Sequence, residues 1–249
     1  MSALLLALDT ASPTVSVALG EVGEGGEGGE TMARRSIELR RSSESLLRLV
    51  AECLEEAGAR IGDVEGILAL RGPGSFTGLR VGLASALGLH QALGTPATAV
   101  PTLEVLATSA LTRGAPGPTV AVVDALRGEW FAQGFDLPAG RAPGARGGAR
   151  VLAPAAIALL RPASLVGFGA ERLALELALE SPSERPDAGS DPASVTAFEP
   201  EALAPAALRL AALRPIAWDP ATLSSPYYLR APAVTVAAKR PREPRPAAP

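Results

Sequence analysis

The chain has little to do chemistry with: one histidine, His90, one cysteine, Cys53, and two aspartates, Asp9 and Asp124, that end apolar runs. Its densest pattern is Gly72-Pro-Gly-Ser-Phe-Thr-Gly-Leu-Arg-Val-Gly82, set between the apolar run Gly66–Leu70 and a helical apolar pattern reaching Leu93. Glycine tolerates positive φ and proline fixes its own, so residues 72–74 must turn tightly. Ser75 and Thr77 are both good helix N-caps. A strand, loop and helix joined this way aim backbone N–H groups and a positive helix end at one point, with Arg71 and Arg80 beside it. That suits an anion or a partner's carboxylate. The plainer alternative is that glycine and proline only turn the chain and cap the helix. A Walker loop is excluded, because the Gly-Lys-Ser/Thr ending is absent.

Three catalytic chemistries can be weighed. A two-lobed ATPase or kinase holds phosphates in glycine-rich turns after the first strand of each lobe, beside a metal-positioning aspartate. Asp9-Thr-Ala-Ser-Pro13 and Asp124-Ala-Leu-Arg-Gly128 occupy those places, so Asp9, Thr10 and Asp124 read as a degenerate nucleotide site. Phosphate cradling needs close backbone approach and free N–H donors. Pro13 removes a donor, and Ala125, Leu126 and Arg127 carry side chains where glycine is needed, so Asp9 is expected to cap its own turn. A His/Cys zinc site cannot be assembled from one histidine and one cysteine, and no carboxylate spacing suggests magnesium. No metal is expected, and His90 reads as a helix-face residue satisfied by a hydrogen bond. Ser12 and Ser75 lie in turns, but the sole histidine leaves little choice of base and Gly-x-Ser-x-Gly is absent. No catalytic residue is expected.

The elements that must position these residues follow from periodicity. Leu4–Asp9 is a buried strand, and Val15, Val17 and Leu19 alternate in a second. Residues 21–30, rich in Gly and Glu, form a flexible acidic hairpin tip expected to be mobile, and a third strand runs over about Thr31–Leu39. Ser42 and Ser43 open a helix to Ala57 with a stripe of Leu46, Leu49, Val50, Cys53 and Leu54, stopped by Gly58. The strand Gly66–Leu70, the helix Thr77–Leu93, a strand at Ala97–Val100 and a helix at Thr102–Leu111 complete the first half. Three strands, helix, strand, helix is the ribonuclease-H-like order of the actin, Hsp70 and sugar-kinase superfamily.

The second half starts the motif again. Thr119–Val123 ends at Asp124 as Leu4–Leu8 ends at Asp9, and the next strand begins six residues after each aspartate, at Val15 and Trp130. The expected fold is therefore α/β, with two ribonuclease-H-like lobes. The first covers residues 1–112. The second, degenerate lobe covers 113–236, with Pro138–Gly148 and Ser181–Asp191 as loops and Val166–Ala170 as a strand entering a helix through a Gly turn. Residues 237–249 are a Pro/Arg tail expected to be disordered.

Composition agrees. At 249 residues and 47% hydrophobic, the chain can bury a real core. A net charge of −3 argues against a standalone nucleic-acid binder. A single cysteine allows no internal disulfide and fits a reducing cytoplasm. No apolar run reaches the roughly 18 residues that span a bilayer. The start lacks a basic region and reaches Asp9 too soon for a signal peptide.

Gly72–Gly82 and Leu4–Gly20, with Asp124–Trp130 and Ser225-Pro-Tyr-Tyr-Leu-Arg230, resemble the bacterial TsaB (YeaZ) family over roughly residues 4–236. The resemblance implies a non-catalytic subunit that binds and activates TsaD, which transfers a threonylcarbamoyl group from an adenylate donor to the adenosine next to a tRNA anticodon. TsaD carries a metal-binding His-x-x-x-His pair on its first long helix; here that region reads Arg41-Ser-Ser-Glu-Ser-Leu46, without histidine. A small ATPase, TsaE, joins the assembly, and tRNA is met only through the complex. The helices 43–57 and 77–93 are implied to pair with TsaD, or with a second copy in a homodimer when the chain is alone. The partner-binding residues expected are Glu44, Leu47, Pro73, Ser75, Phe76, Thr77 and Arg80. No cofactor of its own is expected, with ATP or ADP placed at the partner interface. The alternative is an ATP-dependent kinase or ATPase of the actin-like superfamily.

Overall fold

In the computed structural model, which describes residues 2–23, 28–38, 42–179 and 195–230, the chain forms two five-stranded sheets. The first contains β1 (Ser2–Asp9), β2 (Thr14–Gly23), β3 (Gly28–Glu38), β4 (Gly66–Leu70) and β5 (Ala97–Val100), in the order β3-β2-β1-β4-β5. β2 runs antiparallel to β1 and β3, while β4 and β5 are parallel to β1. The second contains β6 (Thr119–Asp124), β7 (Trp130–Asp136), β8 (Gly144–Leu152), β9 (Ser164–Val166) and β10 (Thr196–Phe198), in the order β8-β7-β6-β9-β10. β7 is antiparallel to β6 and β8, and β9 and β10 are parallel to β6. Both sheets thus follow one topology, third-second-first-fourth-fifth, and the two-lobed α/β expectation holds.

Two expectations are corrected. Pro138–Gly148 is not all loop, because β8 begins at Gly144 and pairs with β7. β8 is an exposed edge strand carrying Gly144, Gly147 and Gly148, so it has no apolar alternation to reveal it. The expectation of a mobile tip over 21–30 is narrowed, because 21–23 and 28–30 are paired strand in β2 and β3. Residues 24–27, the loop 181–191 and the tail 237–249 lie outside the described residues.

Among the described residues the α-helices are α1 (Ser42–Ala57), α2 (Phe76–Leu93), α3 (Thr102–Thr112), α4 (Pro154–Ala158), α5 (Ala170–Leu179) and α6 (Ala204–Leu213). β1 is buried on both faces, which is why it reads as a continuous apolar run. Leu6 and Leu8 join Val15, Val17 and Leu19 of β2 and the α1 stripe Leu46, Leu49, Val50, Cys53 and Leu54 in an outer core. Leu5 and Ala7 face the other way, into a central core shared by both sheets. A third core, around Trp130, Ile157 and Leu173, lies under α4 and α5. Each fully buried leucine contributes about 2 kcal/mol.

The central core is built by an exchange. α3 follows the first sheet in sequence yet packs on β6, β7 and β9, whereas α6 follows the second sheet and packs on β1, β2, β3 and β4. The two helices touch, and Arg214 grips Glu104 with two bonds of 3.1 Å. The final described stretch also returns to the first sheet. Thr222 Oγ1 accepts from Ala99 N at 2.8 Å, Leu223 enters the outer core, and Tyr227 N donates to Arg71 O at 2.7 Å.

Candidate functional site

The glycines of the 72–82 string are explained by what α2 must approach. A Cβ on Gly74 would stand 2.4 Å from Ala11 O, one on Gly78 1.9 Å from Thr10 O, and one on Gly82 2.1 Å from Thr10 Oγ1. The three glycines let α2 lie directly on the β1–β2 turn, which hydrogen bonds then fix. Ser75 N donates to Ala11 O at 2.8 Å, and Thr10 Oγ1 donates to Gly78 O at 2.7 Å. Ser75 is the N-cap, its hydroxyl accepting from Gly78 N at 3.2 Å. Gly72 N donates to Thr102 Oγ1 at 3.2 Å. The donors of Gly72, Ser75 and Gly78 are therefore spent inside the fold, as the turn-and-cap alternative requires.

Asp9 closes the same turn from within. It is wholly buried, and its Oδ1 accepts from Ala11 N at 2.8 Å and Ser12 N at 3.3 Å. Its Oδ2 has no hydrogen-bond partner. Burial pushes the carboxyl pKa up to about 6, against the opposing pull of the nearby Ser12 hydroxyl and of the Ala11 and Ser12 N–H groups. With Thr10 bonded to α2 and Gly78 against it, this turn is filled by protein.

Its counterpart is engaged differently. Asp124 Oδ1 accepts from Leu126 N at 2.6 Å, while Oδ2 accepts from Arg172 at 2.8 Å. Arg172 also lies 4.9 Å from the Trp130 ring centroid. Arg230 donates to Ala125 O at 3.1 Å and pairs with Glu129. Leu126 and Arg127 hold positive φ of 64° and 59°. Arginines thus occupy both ends of the second turn; Arg230 is the last residue of the Ser225–Arg230 motif, and Arg172 carries no signal in the sequence.

The expected partner-binding residues fall on one side of the first lobe, where α1 and α2 pack against each other over the outer core. Leu47 is 59% exposed on α1, and Glu44 stands in that helix's first turn. Thr77 and Arg80 are exposed on the first turns of α2. Phe76, half-buried, lies 5.1 Å ring to ring from Tyr228 and carries the Arg80 guanidinium 3.9 Å from its centroid. Tyr228 completes this stack from the Ser225–Arg230 motif. Ser75 is half-buried in its cap and Pro73 is buried, so Pro73 acts through the shape of the loop.

The small residues of α2 divide by role. Gly78 and Gly82 are buried against Thr10, whereas Ala84 and Gly88 are exposed and a Cβ on Gly88 would meet nothing within 4 Å. Ala51 is exposed on α1. Three small residues, Ala51, Ala84 and Gly88, thus face solvent on the two helices. His90 Nδ1 makes a 2.7 Å hydrogen bond with Thr95 O, as expected of it. Among the described residues no group of three His, Cys, Asp or Glu side chains is placed to hold a metal, and no helix is long and apolar enough to cross a membrane.

Comparison with known proteins adds an independent line. A family model described as TsaD, tRNA N6-adenosine threonylcarbamoyltransferase, matches residues 36–159. The tRNA threonylcarbamoyladenosine biosynthesis protein TsaB of Escherichia coli K12 is 33% identical over 127 residues, 51% of this chain and 52% of that protein, so the match spans about half of that relative. An uncharacterized protein of Mycobacterium tuberculosis H37Rv is 32% identical over 218 residues, covering 85% of this chain and 94% of that one. The solved structure of YeaZ from Pseudomonas aeruginosa superposes with a TM-score of 0.65 at 29% identity, covering 84% of this chain and 90% of that one.

Proposed function

Since the chain belongs to the TsaB (YeaZ) family of tRNA threonylcarbamoyladenosine biosynthesis, we propose that it is the non-catalytic subunit that binds and activates a TsaD-like transferase. The docking surface is the outer side of α1 and α2, with the Phe76–Arg80–Tyr228 stack at its edge. One observation carries this reading. Ala84 and Gly88 on α2, beside α1 with its exposed Leu47, are small without any internal packing that needs them small. Small side chains let a partner's helices approach closely.

Activation follows if this surface binds the competent state of the transferase better than its other states, since a ligand shifts an equilibrium only by its differential affinity. Alone, the same patch pairs with itself in an isologous homodimer. A TsaE-like ATPase completes the assembly, ATP or ADP sits at the partner interface near Arg80, and tRNA is met through the complex. The filled Asp9 turn and the arginine-paired Asp124 support a subunit without chemistry of its own. The test is reconstituted tRNA modification with the TsaD-like protein of the same genome. Product should need both proteins, and Arg80→Ala should reduce it; modification that proceeds equally well without this chain would refute the proposal.

One observation favours a second reading. Asp9, at the end of β1 in a ribonuclease-H-like lobe, keeps a buried oxygen without a partner. An ATPase would use such a carboxylate. ATP turnover by the isolated chain that disappears in Asp9→Asn would establish that alternative.

A further inference from the structure

A cleft of about 330 Å³ opens between β3, the C-terminal end of α3 and the start of α6. Among the described residues its charged lining is Arg34, Arg113 and Arg209 against a single carboxylate, Glu201. Three elements remote in sequence bring these guanidiniums together in a chain whose formal net charge is −3. Convergence of like charges costs free energy unless a counter-charge joins them.

The hydroxyls beside these guanidiniums are already committed. The hydroxyl protons of Ser109 and Thr112 are spent on Leu106 O at 2.7 Å and Ser109 O at 2.8 Å, within α3. Arg113 is anchored by one bond of 2.8 Å to Glu199 O, which leaves its other N–H groups for a ligand. Strand alternation separates Arg34 from its neighbour. Arg35 turns to Glu52 and Glu56 of α1, whereas Arg34 lines the cleft on the opposite face of β3 and has no carboxylate partner among the described residues.

We propose that this cleft binds the phosphate groups of a phosphorylated ligand. Guanidiniums match phosphate oxygens with paired N–H donors, and several around one group neutralise a dianion. No aromatic ring lines the cleft, so it offers no platform for a base and reads phosphate, not nucleobase. The volume admits a diphosphate. The phosphate comes either from a free nucleotide or from an RNA backbone, and the two behave differently in solution. The site is separate from the α1–α2 docking surface, on the other side of the first sheet.

The experiment is calorimetric titration of the full chain at low salt with inorganic pyrophosphate, with ADP and GDP, and with a short single-stranded RNA. Arg34→Gln and Arg113→Gln should each weaken pyrophosphate binding by about tenfold, while Arg150→Gln, an exposed arginine on β8, should leave it unchanged. ADP and GDP binding alike, with the same arginine dependence, assigns a nucleotide source. RNA binding whose salt dependence drops by roughly 0.7 in log–log slope per arginine removed assigns a backbone source. If no phosphate compound binds, or if Arg150→Gln weakens binding as much as Arg34→Gln, the cleft is not a phosphate site.

Discussion

Thr10 and Gly78 hold each other across the base of the first lobe: the threonine hydroxyl donates to the glycine carbonyl at 2.7 Å, and the glycine's bare Cα faces the threonine's own carbonyl oxygen. A methyl group on Gly78 would stand 1.9 Å from that oxygen, and backbone on both sides leaves nothing flexible to yield. Gly78→Ala should therefore cost about 3 kcal/mol or more, or prevent folding. Thr10→Val, which removes the hydroxyl donated to the Gly78 carbonyl, should cost about 1–2 kcal/mol. Urea denaturation of both variants checks the order, and a Gly78→Ala protein of normal stability would contradict it.

Gly88 is the opposite case, since its position opens to solvent. Gly88→Arg should change stability by no more than about 0.5 kcal/mol, and the loss of a mid-helix glycine even favours the helix. The same substitution places a long charged side chain in the proposed docking surface. Association with a TsaD-like partner, measured by titration calorimetry, should weaken by about a hundredfold.

Asp9 makes a pH-dependent contribution whose sign is fixed by burial. Its pKa is raised to about 6 from 3.8, so the folded state holds this proton more tightly than the unfolded chain. The associated stabilisation is complete below about pH 4 and is lost as pH rises through 6. Asp9→Asn keeps the acceptor oxygen for Ala11 and Ser12 and removes the charge. Relative to the parent chain it should gain up to about 2–3 kcal/mol between pH 4 and pH 7, read from chemical denaturation at each pH. A difference that stays flat with pH would show that Asp9 is not the titrating group.

Cys53 lies wholly buried on the inner face of α1 with its sulfur 3.7 Å from Val17 O, and burial pushes its thiol up to about 11. Thiolate, the reactive form, is scarce at neutral pH. Iodoacetamide should label native protein only at the rate of unfolding, so labelling should accelerate in parallel with added urea. Fast labelling in buffer would contradict this placement.

Arg172 bridges Asp124 and the Trp130 ring on a half-exposed surface. Arg172→Ala should cost about 1 kcal/mol, part from the screened ion pair and part from the ring contact. Thermal denaturation at low and at high salt separates the two, because only the ion pair is screened.

Much of this fold is legible in the sequence because its signals are local. The runs Gly66–Leu70 and Ala97–Val100 are bounded by turn residues and emerge as strands with those limits. Ser75 is read as a cap and serves as one. What escapes is non-local or lacks an apolar signature. β8 is a glycine-rich edge strand with no fully buried residue. The exchange of α3 and α6 between sheets is a matter of tertiary packing. The glycines of 72–82 announce a close approach but not its object, since Thr10 lies 68 residues from Gly78. The cleft arginines are unremarkable singly and meaningful only when folding gathers them.

The central claim, a subunit that works by docking through α1 and α2, is tested most directly by sedimentation velocity. The chain is run alone and with the TsaD-like protein of the same genome, with and without nucleotide, beside the Gly88→Arg variant. The account predicts a homodimer that gives way to a heteromeric complex, with the variant monomeric and unable to join. Two proteins that sediment independently under every condition, or a Gly88→Arg chain that assembles as well as the parent, would contradict it.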